Sequence, residues 1–407
     1  MSAPNQQSQP QETIQAKGSS RTGWYAAIAI VVIVIVVFAG LYAAGYIGKK
    51  TTTTTPTVGA CTPETILGAG STFVEQLQDE WASVYKTGTV DYDAVGSGAG
   101  ISDITTKTVT YGASDAPLNS TQMQAAPGLL TMPETAGAVS IIYNLPGVNF
   151  PLGYSLNLTG ALLAAIYLGT ISTWNNSALV AINPELTSHG VPDVNQTIAV
   201  FHRSDGSGTS YAFTQFLSDS NTTWKDTIGY STEPNFPKTP LGGGEKGSSG
   251  IAGTVKITPY SIGYVDLGEA VNSVISYAAV QNPSGDYIIP TVNHTASAIA
   301  DLLKTTSLPA GNASWASVSM INAPGTDDYP IATLSYMLFY QAANDNPVVT
   351  SAAYASTFAN WLNWTITDGQ AYSGQLYYVP LPAAVVSADQ ATIATMTYNG
   401  AAVATCS

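Results

Sequence analysis

Three glycine-rich turns stand out in the sequence because each of them leads into a helix-like segment. The turns are Gly68–Thr72, Gly96–Gly100 and Asp205–Thr209, and a β-like run precedes each one. Such a turn exposes backbone N–H groups, and the following helix adds about half a positive charge at its N-terminus. A single turn of this kind is most often a plain loop or cap. Three turns directed at one point would form an oxyanion site.

Two charged residues strengthen this interpretation. Arg203 lies two residues before Asp205, at the turn that opens the third helix. Its guanidinium offers planar donors to a tetrahedral oxyanion, and the neighbouring carboxylate can hold it in place. Asp115 follows another β-like run, at a strand end where ligands of α/β proteins bind. Taken singly, Arg203 also fits a surface ion pair and Asp115 a turn or a cap.

The elements that must position these residues follow an α/β rhythm. Short β-branched or aromatic runs alternate with longer helix-like segments, which predicts an α/β fold. In Phe73–Tyr85, the residues Phe73, Leu77 and Trp81 recur at helical spacing. The predicted strands include Val90–Val95, Val139–Tyr143, Ile198–Phe201 and Ser261–Val265.

The composition excludes several classes of protein. Among 407 residues, 45% are hydrophobic and only 9% are charged, and 12 basic against 26 acidic side chains give a net charge of -14. Such a field repels polyanions, so we expect no nucleic-acid partner. The 2 cysteines are too few for a cysteine-rich metal site. We expect neither a metal nor a cofactor.

A membrane segment precedes the folded part. Thr22–Gly48 carries no charge, and 24 apolar residues would span about 36 Å as a helix, enough for a bilayer core. A cleaved signal peptide is the alternative, since Lys17 and Arg21 precede the run, but the run exceeds the usual apolar region of such peptides. The predicted segments are a cytoplasmic tail at 1–23, a transmembrane anchor at 24–47 and a Thr-rich tether at 48–61.

The part after the tether has features of an extracytoplasmic domain. Cys61 and Cys406 lie at the two edges of the folded part, where a disulfide would require an oxidising compartment, and two unrelated thiols are the alternative. Asn-x-Ser/Thr sequons predict a glycoprotein, although chance supplies about half of them in a chain of this composition. The sequons are at Asn119, Asn157, Asn175, Asn195, Asn221, Asn293, Asn312 and Asn363.

Several motifs together resemble one known family, the phosphate-binding proteins of Pst-type ABC importers. They occur in a matching order and cover essentially all of 66–390. The motifs are Gly68–Phe73, Gly96–Ile101, Tyr111–Leu118, Arg203–Ser210 and Ser261–Val265, with Asn144–Gly147, Ile166–Gly169, Trp174 and Gly243–Gly247 between them.

The resemblance implies an α/β fold of the two-lobed type II periplasmic binding protein class, with two hinge crossings, preceded by one N-terminal transmembrane helix. The crossings are expected near Ser140–Asn144 and Asp328–Thr333. Lobe I would then comprise 62–142 and 331–407, and lobe II 143–330. The two ends of the chain meet in lobe I, which suits a disulfide between Cys61 and Cys406.

The resemblance also implies the ligand residues. Arg203 supplies the charge, oriented by Asp205, and Asp115 accepts the proton of a protonated phosphate oxygen. Sulfate has no such proton at neutral pH, so Asp115 would carry the selectivity. The remaining donors are expected at Thr72, Phe73, Ser97, Ser207, Gly208 and Thr209.

The implied function is that of an extracytoplasmic solute-binding protein, not an enzyme. It would capture inorganic phosphate between the lobes and deliver it to the permease subunits of a phosphate ABC transporter, as a single-pass protein of the cell membrane. The anchor, low charge and sequons indicate an archaeal surface protein. Three features depart from the family: no apolar run directly precedes Cys61, so lipidation is not expected; His202 stands where Arg or an apolar residue is usual; and Ala99 replaces a common glycine.

Three alternatives remain from the sequence. A site of this kind would also suit another tetrahedral oxyanion, such as sulfate, molybdate or tungstate. The anchor, tether and sequons would equally suit a surface adhesion or structural protein that binds no small ligand. Ser204–Gly208 superficially resembles a serine-protease loop, but the surroundings of His189 and His294 match no catalytic histidine motif.

Overall fold

The computed structural model of the protein describes residues 61, 64–151, 153–187 and 196–405. The predicted tail, anchor and most of the tether lie outside these residues, as do Asn195, His189 and Cys406. Cys61 is described and is not a free thiol. Its pairing with Cys406 stays a prediction because Cys406 lies outside. None of the helices that the described ranges contain is long and apolar enough to cross a bilayer.

The described residues form a mixed α/β fold, as the sequence predicted. Short 3₁₀ helices cover Pro184–Thr187, Ala343–Asp345, Asp368–Tyr372 and Gly374–Leu376. The strands are β1 (Thr65–Gly70), β2 (Thr89–Asp93), β3 (Tyr111–Ser114), β4 (Leu129–Asn144), β5 (Asn157–Leu158), β6 (Ala199–Arg203), β7 (Leu241–Glu245), β8 (Ser261–Asp266), β9 (Ser276–Tyr277), β10 (Ala279–Gln281), β11 (Tyr287–Ile288), β12 (Ala332–Tyr340), β13 (Thr397–Tyr398) and β14 (Ala401–Ala402).

The helices are bounded by polar caps at several N-termini, where a Ser, Thr, Asn or Asp side chain accepts an N–H of the first turn. They are α1 (Glu75–Val84), α2 (Ser97–Thr105), α3 (Ser120–Ala125), α4 (Gly160–Tyr167), α5 (Ser177–Val180), α6 (Gly208–Ser220), α7 (Thr222–Thr227), α8 (Gly247–Ile257), α9 (Leu267–Asn272), α10 (Val292–Thr305), α11 (Ala352–Thr365) and α12 (Ala383–Ile393).

Among the described residues, nine strands join in one sheet of order β2-β1-β3-β12-β4-β8-β6-β7, with β9 beside β4. β2, β1 and β3 are parallel to one another, and so are β8, β6 and β7. The two parallel groups are linked through the antiparallel strands β12 and β4. Each group therefore presents the carboxyl ends of its strands, where α/β proteins bind ligands.

Strand β4 is shared by the two groups. Its residues Leu129–Ala138 pair with β12, and Val139–Asn144 pair with β8. The returning chain passes the same point, because Val139 N–H donates to Ile331 O and Tyr329 OH donates to Val139 O. A two-lobed fold requires a chain that crosses from one group of strands to the other, and β4 crosses in this way. The lobe boundaries given above stay a prediction.

A large aromatic core supports the first parallel group. Trp81 of α1 is fully buried, and its ring meets that of Trp361 in an edge contact with centroids 6.3 Å apart. Its indole N–H donates to Gly369 O at 2.7 Å, so burial leaves this donor satisfied. Helix α1 is thereby held against the 3₁₀ helix Asp368–Tyr372. This fixes the turn between β1 and α1, which reaches the candidate site.

Candidate anion-binding site

The glycine-rich turns, Arg203 and Asp115 meet where the two parallel groups of strands end. Gly70, Ser114 and Arg203 are the last residues of β1, β3 and β6. Helices α2 and α6 begin at Ser97 and Gly208, inside their glycine-rich turns and earlier than the sequence predicted. The first turns of both helices therefore line the space between the two groups of strands, which we call the cleft.

Arg203 provides a buried positive charge. Its side chain is 2% exposed, and its Nε donates to Asp205 Oδ1 at 2.7 Å while Nη2 donates to Oδ2. Gly247 N–H also donates to Asp205 Oδ1, at 3.1 Å. Burial alone would raise the pKa of Asp205, but the guanidinium and this N–H outweigh it and hold the pKa below its usual range. Asp205 is therefore ionised at neutral pH, and the Arg203 guanidinium keeps further N–H groups for a ligand.

The first turn of α6 is a set of buried donors. Ser207 Oγ caps the helix by accepting from Ser210 N–H at 3.1 Å, which leaves its own hydroxyl proton for another acceptor. Thr209 is buried, and its Oγ1 has no hydrogen-bond partner among the described residues. A buried hydroxyl without a partner costs free energy unless a ligand or water satisfies it. Thr209 Oγ1 thus indicates a ligand position in front of α6.

Ser97 connects the two sides of the cleft. Its Oγ accepts from Gly208 N–H at 3.0 Å and from Asp115 N–H at 3.3 Å. Because both contacts use its lone pairs, the hydroxyl proton can be donated to a third group, either the Asp115 carboxylate or a ligand. Gly208 is required here, since a Cβ at that position would lie 2.6 Å from Asp115 Cβ. The N-terminus of α6 can therefore approach Asp115 only with glycine in this place.

Asp115 provides a buried acceptor. Ser71 Oγ lies 2.8 Å from its Oδ1 and 2.7 Å from its Oδ2, and Ser335 Oγ lies 2.8 Å from Oδ1. Burial raises the pKa of Asp115 to about 6, although these hydroxyls and the Arg203 charge oppose the shift. The carboxylate is therefore mostly ionised at pH 7. It can accept a hydrogen bond from a ligand, whereas Arg203 and Thr209 can donate one.

The remaining predicted residues, Thr72 and Phe73, lie at the first turn but are already engaged. Thr72 Oγ1 accepts from Ser248 N–H at 3.2 Å and lies 3.1 Å from Ser248 Oγ. Phe73 N–H donates to Ser71 Oγ at 3.0 Å, and the Phe73 ring is fully buried. Their contact with a ligand stays a prediction.

The structure adds residues that the sequence reasoning missed. Ser71 lies inside the Gly68–Phe73 motif, next to Thr72, and its contact with Asp115 depends on the close approach of β1 and β3. Ser248 follows the Gly243–Gly247 motif and reaches Thr72 across the cleft. Ser335 and Glu134 come from β12 and β4, and no local pattern marks either of them. Only pairing across distant parts of the chain places them here.

The two residues that departed from the family lie beside the cleft. The His202 ring stacks on Phe236 with centroids 4.3 Å apart, and its Nδ1 lies 3.0 Å from Arg203 O. This gives His202 a packing role behind Arg203. Ala99 lies in the first turn of α2, where its side chain is partly exposed.

The fold and this cleft define a class, the two-lobed periplasmic binding proteins. The family model for the PBP superfamily domain matches residues 50–363. A solved structure described as a high affinity periplasmic phosphate-binding protein bound with phosphate has the same fold, with a TM-score of 0.64 and 20% sequence identity. The similarity covers 81% of this chain and 93% of that one.

Two curated relatives indicate which family within this class the chain belongs to. The chain is 34% identical to "Phosphate-binding protein PstS" of Xylella fastidiosa (strain 9a5c), over 81% of this chain and 85% of that protein. It is 29% identical to "Phosphate-binding protein PstS" of the archaeon Methanocaldococcus jannaschii, over 76% of this chain and 80% of that protein. The chain therefore belongs to the Pst-type phosphate-binding protein family, as the motifs indicated.

Proposed function

We propose that the protein captures inorganic phosphate between its two lobes and delivers it to the permease of an ABC importer. The proposal rests on one observation: groups that attract an anion and a group that accepts a hydrogen bond lie in the same buried cleft. Arg203 and the first turns of α2 and α6 attract an anion, while Asp115 accepts a hydrogen bond. Monohydrogen phosphate offers negative oxygens and one hydroxyl, so it matches both. The relatives named above support the same ligand.

Isothermal titration of the purified chain with phosphate at pH 7 tests this proposal. We expect a dissociation constant in the micromolar range or tighter, as a desolvated charge-assisted site allows. A surface adhesion or structural protein would give no heat of binding. We propose a binding protein and not an enzyme, so incubation with a phosphate monoester should release no phosphate.

Closure of the cleft should depend on Gly98. Gly98 N–H donates to Gly206 O at 2.9 Å, and a Cβ at Gly98 would lie 2.9 Å from Gly206 Cα. Gly98→Ala is expected to weaken phosphate binding about tenfold by holding these turns apart, while thermal stability is kept because alanine favours the helix. Gly253→Ala in α8 is the control, since no atom beyond its chain neighbours and the backbone of its own helix lies within 4 Å of the added Cβ. Equal affinities of the two variants would contradict the closed arrangement.

We also propose that the chain is held at the membrane by 24–47, with the tail 1–23 in the cytoplasm and the tether 48–61 leading to an extracytoplasmic lobe pair. The support is the uncharged apolar run and the polar tether that follows. Full-length protein should fractionate with membranes, and a native N-terminus at residue 45 or later would show cleavage instead. A glycosylated domain on the outer face would carry glycans at some of its sequons.

The disulfide between Cys61 and Cys406 is part of the same proposal. Closing so long a loop stabilises a fold by about 5 kcal/mol in the chain-entropy model. Intact mass measured before and after reduction should differ by the mass of two hydrogens. Two thiols that react with an alkylating reagent in the folded, unreduced protein would reject the bridge.

A further inference from the structure

Glu134 is a fully buried carboxyl that takes no direct part in the proposed site. It lies in a β-bulge, because Ser335 pairs with Thr135 and Tyr336 with Pro133, which leaves Glu134 without an opposite residue. Bulges of this kind redirect a side chain beside a functional site. The side chain of Glu134 contacts Gln78 and Ser335, which are both uncharged. A buried carboxylate with neutral partners alone is costly, so a proton on Glu134 is favoured.

A count of protons leads to the same result. Ser335 Oγ lies 2.8 Å from Asp115 Oδ1 and 2.9 Å from Glu134 Oε1, and a hydroxyl has one proton to donate. If both carboxyls were ionised, one of these contacts would set lone pairs against lone pairs. One carboxyl of the pair must therefore carry a proton and donate it to Ser335.

The surroundings assign that proton to Glu134. Asp115 also contacts the Ser71 hydroxyl and feels the Arg203 charge, both of which stabilise its ionised form. Burial raises the pKa of Glu134 to about 8, and the charge of Asp115 acts in the same direction. At pH 7 Glu134 is therefore mostly neutral and Asp115 mostly ionised.

The position of the proton on Glu134 also follows. Gln78 Oε1 accepts from Tyr111 OH at 2.7 Å, so the Gln78 amide group turns its N–H toward Glu134 Oε2. Oε2 is thus an acceptor, and the proton lies on Oε1, which faces Ser335. The hydrogen bonds then run in one direction, from Glu134 through Ser335 to Asp115.

We propose that Glu134 is a neutral positioning residue: it donates to Ser335, which donates to Asp115 Oδ1. This keeps Asp115 ionised, and Oδ2, which also contacts Ser71, keeps a lone pair for the hydroxyl of the ligand. The identity of the ligand in this proposal rests on the proposed phosphate function. Oδ2 is the oxygen near α6, since a Cβ at Gly208 would lie 2.7 Å from it. Glu134 thereby acts on selectivity without touching the ligand.

The charged and titratable groups around Glu134 permit one test by pH. Besides Asp115, they are Tyr92 of β2, Tyr111 of β3 and Tyr378, and burial raises the pKa of each tyrosine, so these stay neutral through pH 9. As pH rises past about 8, Glu134 loses its proton and competes with Asp115 for the Ser335 hydroxyl. Phosphate binding, which favours the neutral form of Glu134, should then weaken.

The experiment compares phosphate affinity at pH 7 and pH 9 in the wild type and in Glu134→Gln. The glutamine amide keeps a donor for Ser335 but cannot ionise, so affinity at pH 7 should stay within about threefold of the wild type. From pH 7 to pH 9 the wild type should lose about tenfold more affinity than the variant, because only the wild type loses the proton of Glu134. The titration of phosphate itself affects both proteins equally and cancels when their losses are compared. Glu80→Gln on α1 is the matched control and should behave as the wild type. The same pH dependence in Glu134→Gln and the wild type would overturn the proposal.

A second readout does not depend on the ligand. Carbon-13 NMR of glutamate side-chain carboxyls should show one resonance that titrates near pH 8 and is missing in Glu134→Gln. If the Glu134 resonance titrated near pH 4, the carboxyl would be ionised at neutral pH and the inference would be wrong. If the wild type bound no phosphate but this resonance titrated near pH 8, the phosphate function would fail while the neutral Glu134 would stand.

Discussion

Arg203→Ala is expected to weaken phosphate binding by about 2–4 kcal/mol, which corresponds to about 30- to 1,000-fold in the dissociation constant. The guanidinium is 2% exposed, so the charge it offers is little screened by water. Its loss removes the one buried cation found at the described site and leaves the Asp205 carboxylate facing the anion. Calorimetric titration with phosphate measures the effect directly.

Two further variants separate this effect from a loss of folding. Arg203→Lys keeps the charge but not the planar pair of bonds to Asp205, so it should recover part of the affinity. His202→Ala removes the neighbouring ring, which stacks on Phe236, and should change phosphate affinity far less. Thermal unfolding of each variant reports any general destabilisation. Equal losses of affinity in His202→Ala and Arg203→Ala would mean that the binding charge is wrongly assigned.

Asp115→Asn is expected to remove selectivity between phosphate and sulfate. Ser335 donates to Oδ1 alone, whereas Ser71 lies within reach of both oxygens and can also donate to Oδ1. The amide therefore keeps its oxygen at Oδ1 and places its NH₂ at the position of Oδ2. This exchanges the one acceptor for a donor. The phosphate hydroxyl then loses its partner, and a sulfate oxygen gains one. We expect the ratio of the sulfate and phosphate dissociation constants to fall about 100-fold or more.

Titration of Asp115→Asn with both anions at pH 7 gives this ratio. Asp389→Asn is the matched control, because Asp389 of α12 is also a buried carboxyl whose pKa is raised by desolvation. That variant should keep the ratio of the wild type. An unchanged ratio in Asp115→Asn would show that the discrimination comes from another part of the cleft.

Much of the arrangement of the candidate site could be predicted because its residues lie in short local motifs. The Gly-rich turns, Arg203 and Asp115 all lie at or next to the ends of strands, and parallel strands bring such ends together. The motifs also resemble those of a known family, and that resemblance predicted the two-lobed fold. The predicted helix over Phe73–Tyr85 corresponds to α1 (Glu75–Val84), and the predicted strand over Ser261–Val265 to β8.

Other features depend on contacts that a linear pattern does not contain. Helices α2 and α6 begin at Ser97 and Gly208, whereas the low helix propensity of glycine predicts that each helix begins after its glycine-rich turn. The close approach of Gly98 to Gly206 and of Gly208 to Asp115 overrides that propensity. In the sequence, Glu134 is a single acidic residue in an apolar run. Only the bulge between β4 and β12 brings its side chain to Ser335.

Competition between phosphate and sulfate at pH 7 tests the central claim most directly. The purified wild-type chain, loaded with phosphate, is titrated with sulfate and in parallel with arsenate. Sulfate should displace no phosphate at millimolar concentration, because it has no proton to give to Asp115, while arsenate, which carries a proton and has a similar shape, should compete. Displacement of phosphate by sulfate at comparable concentration would contradict the role of Asp115 and favour a general oxyanion-binding protein.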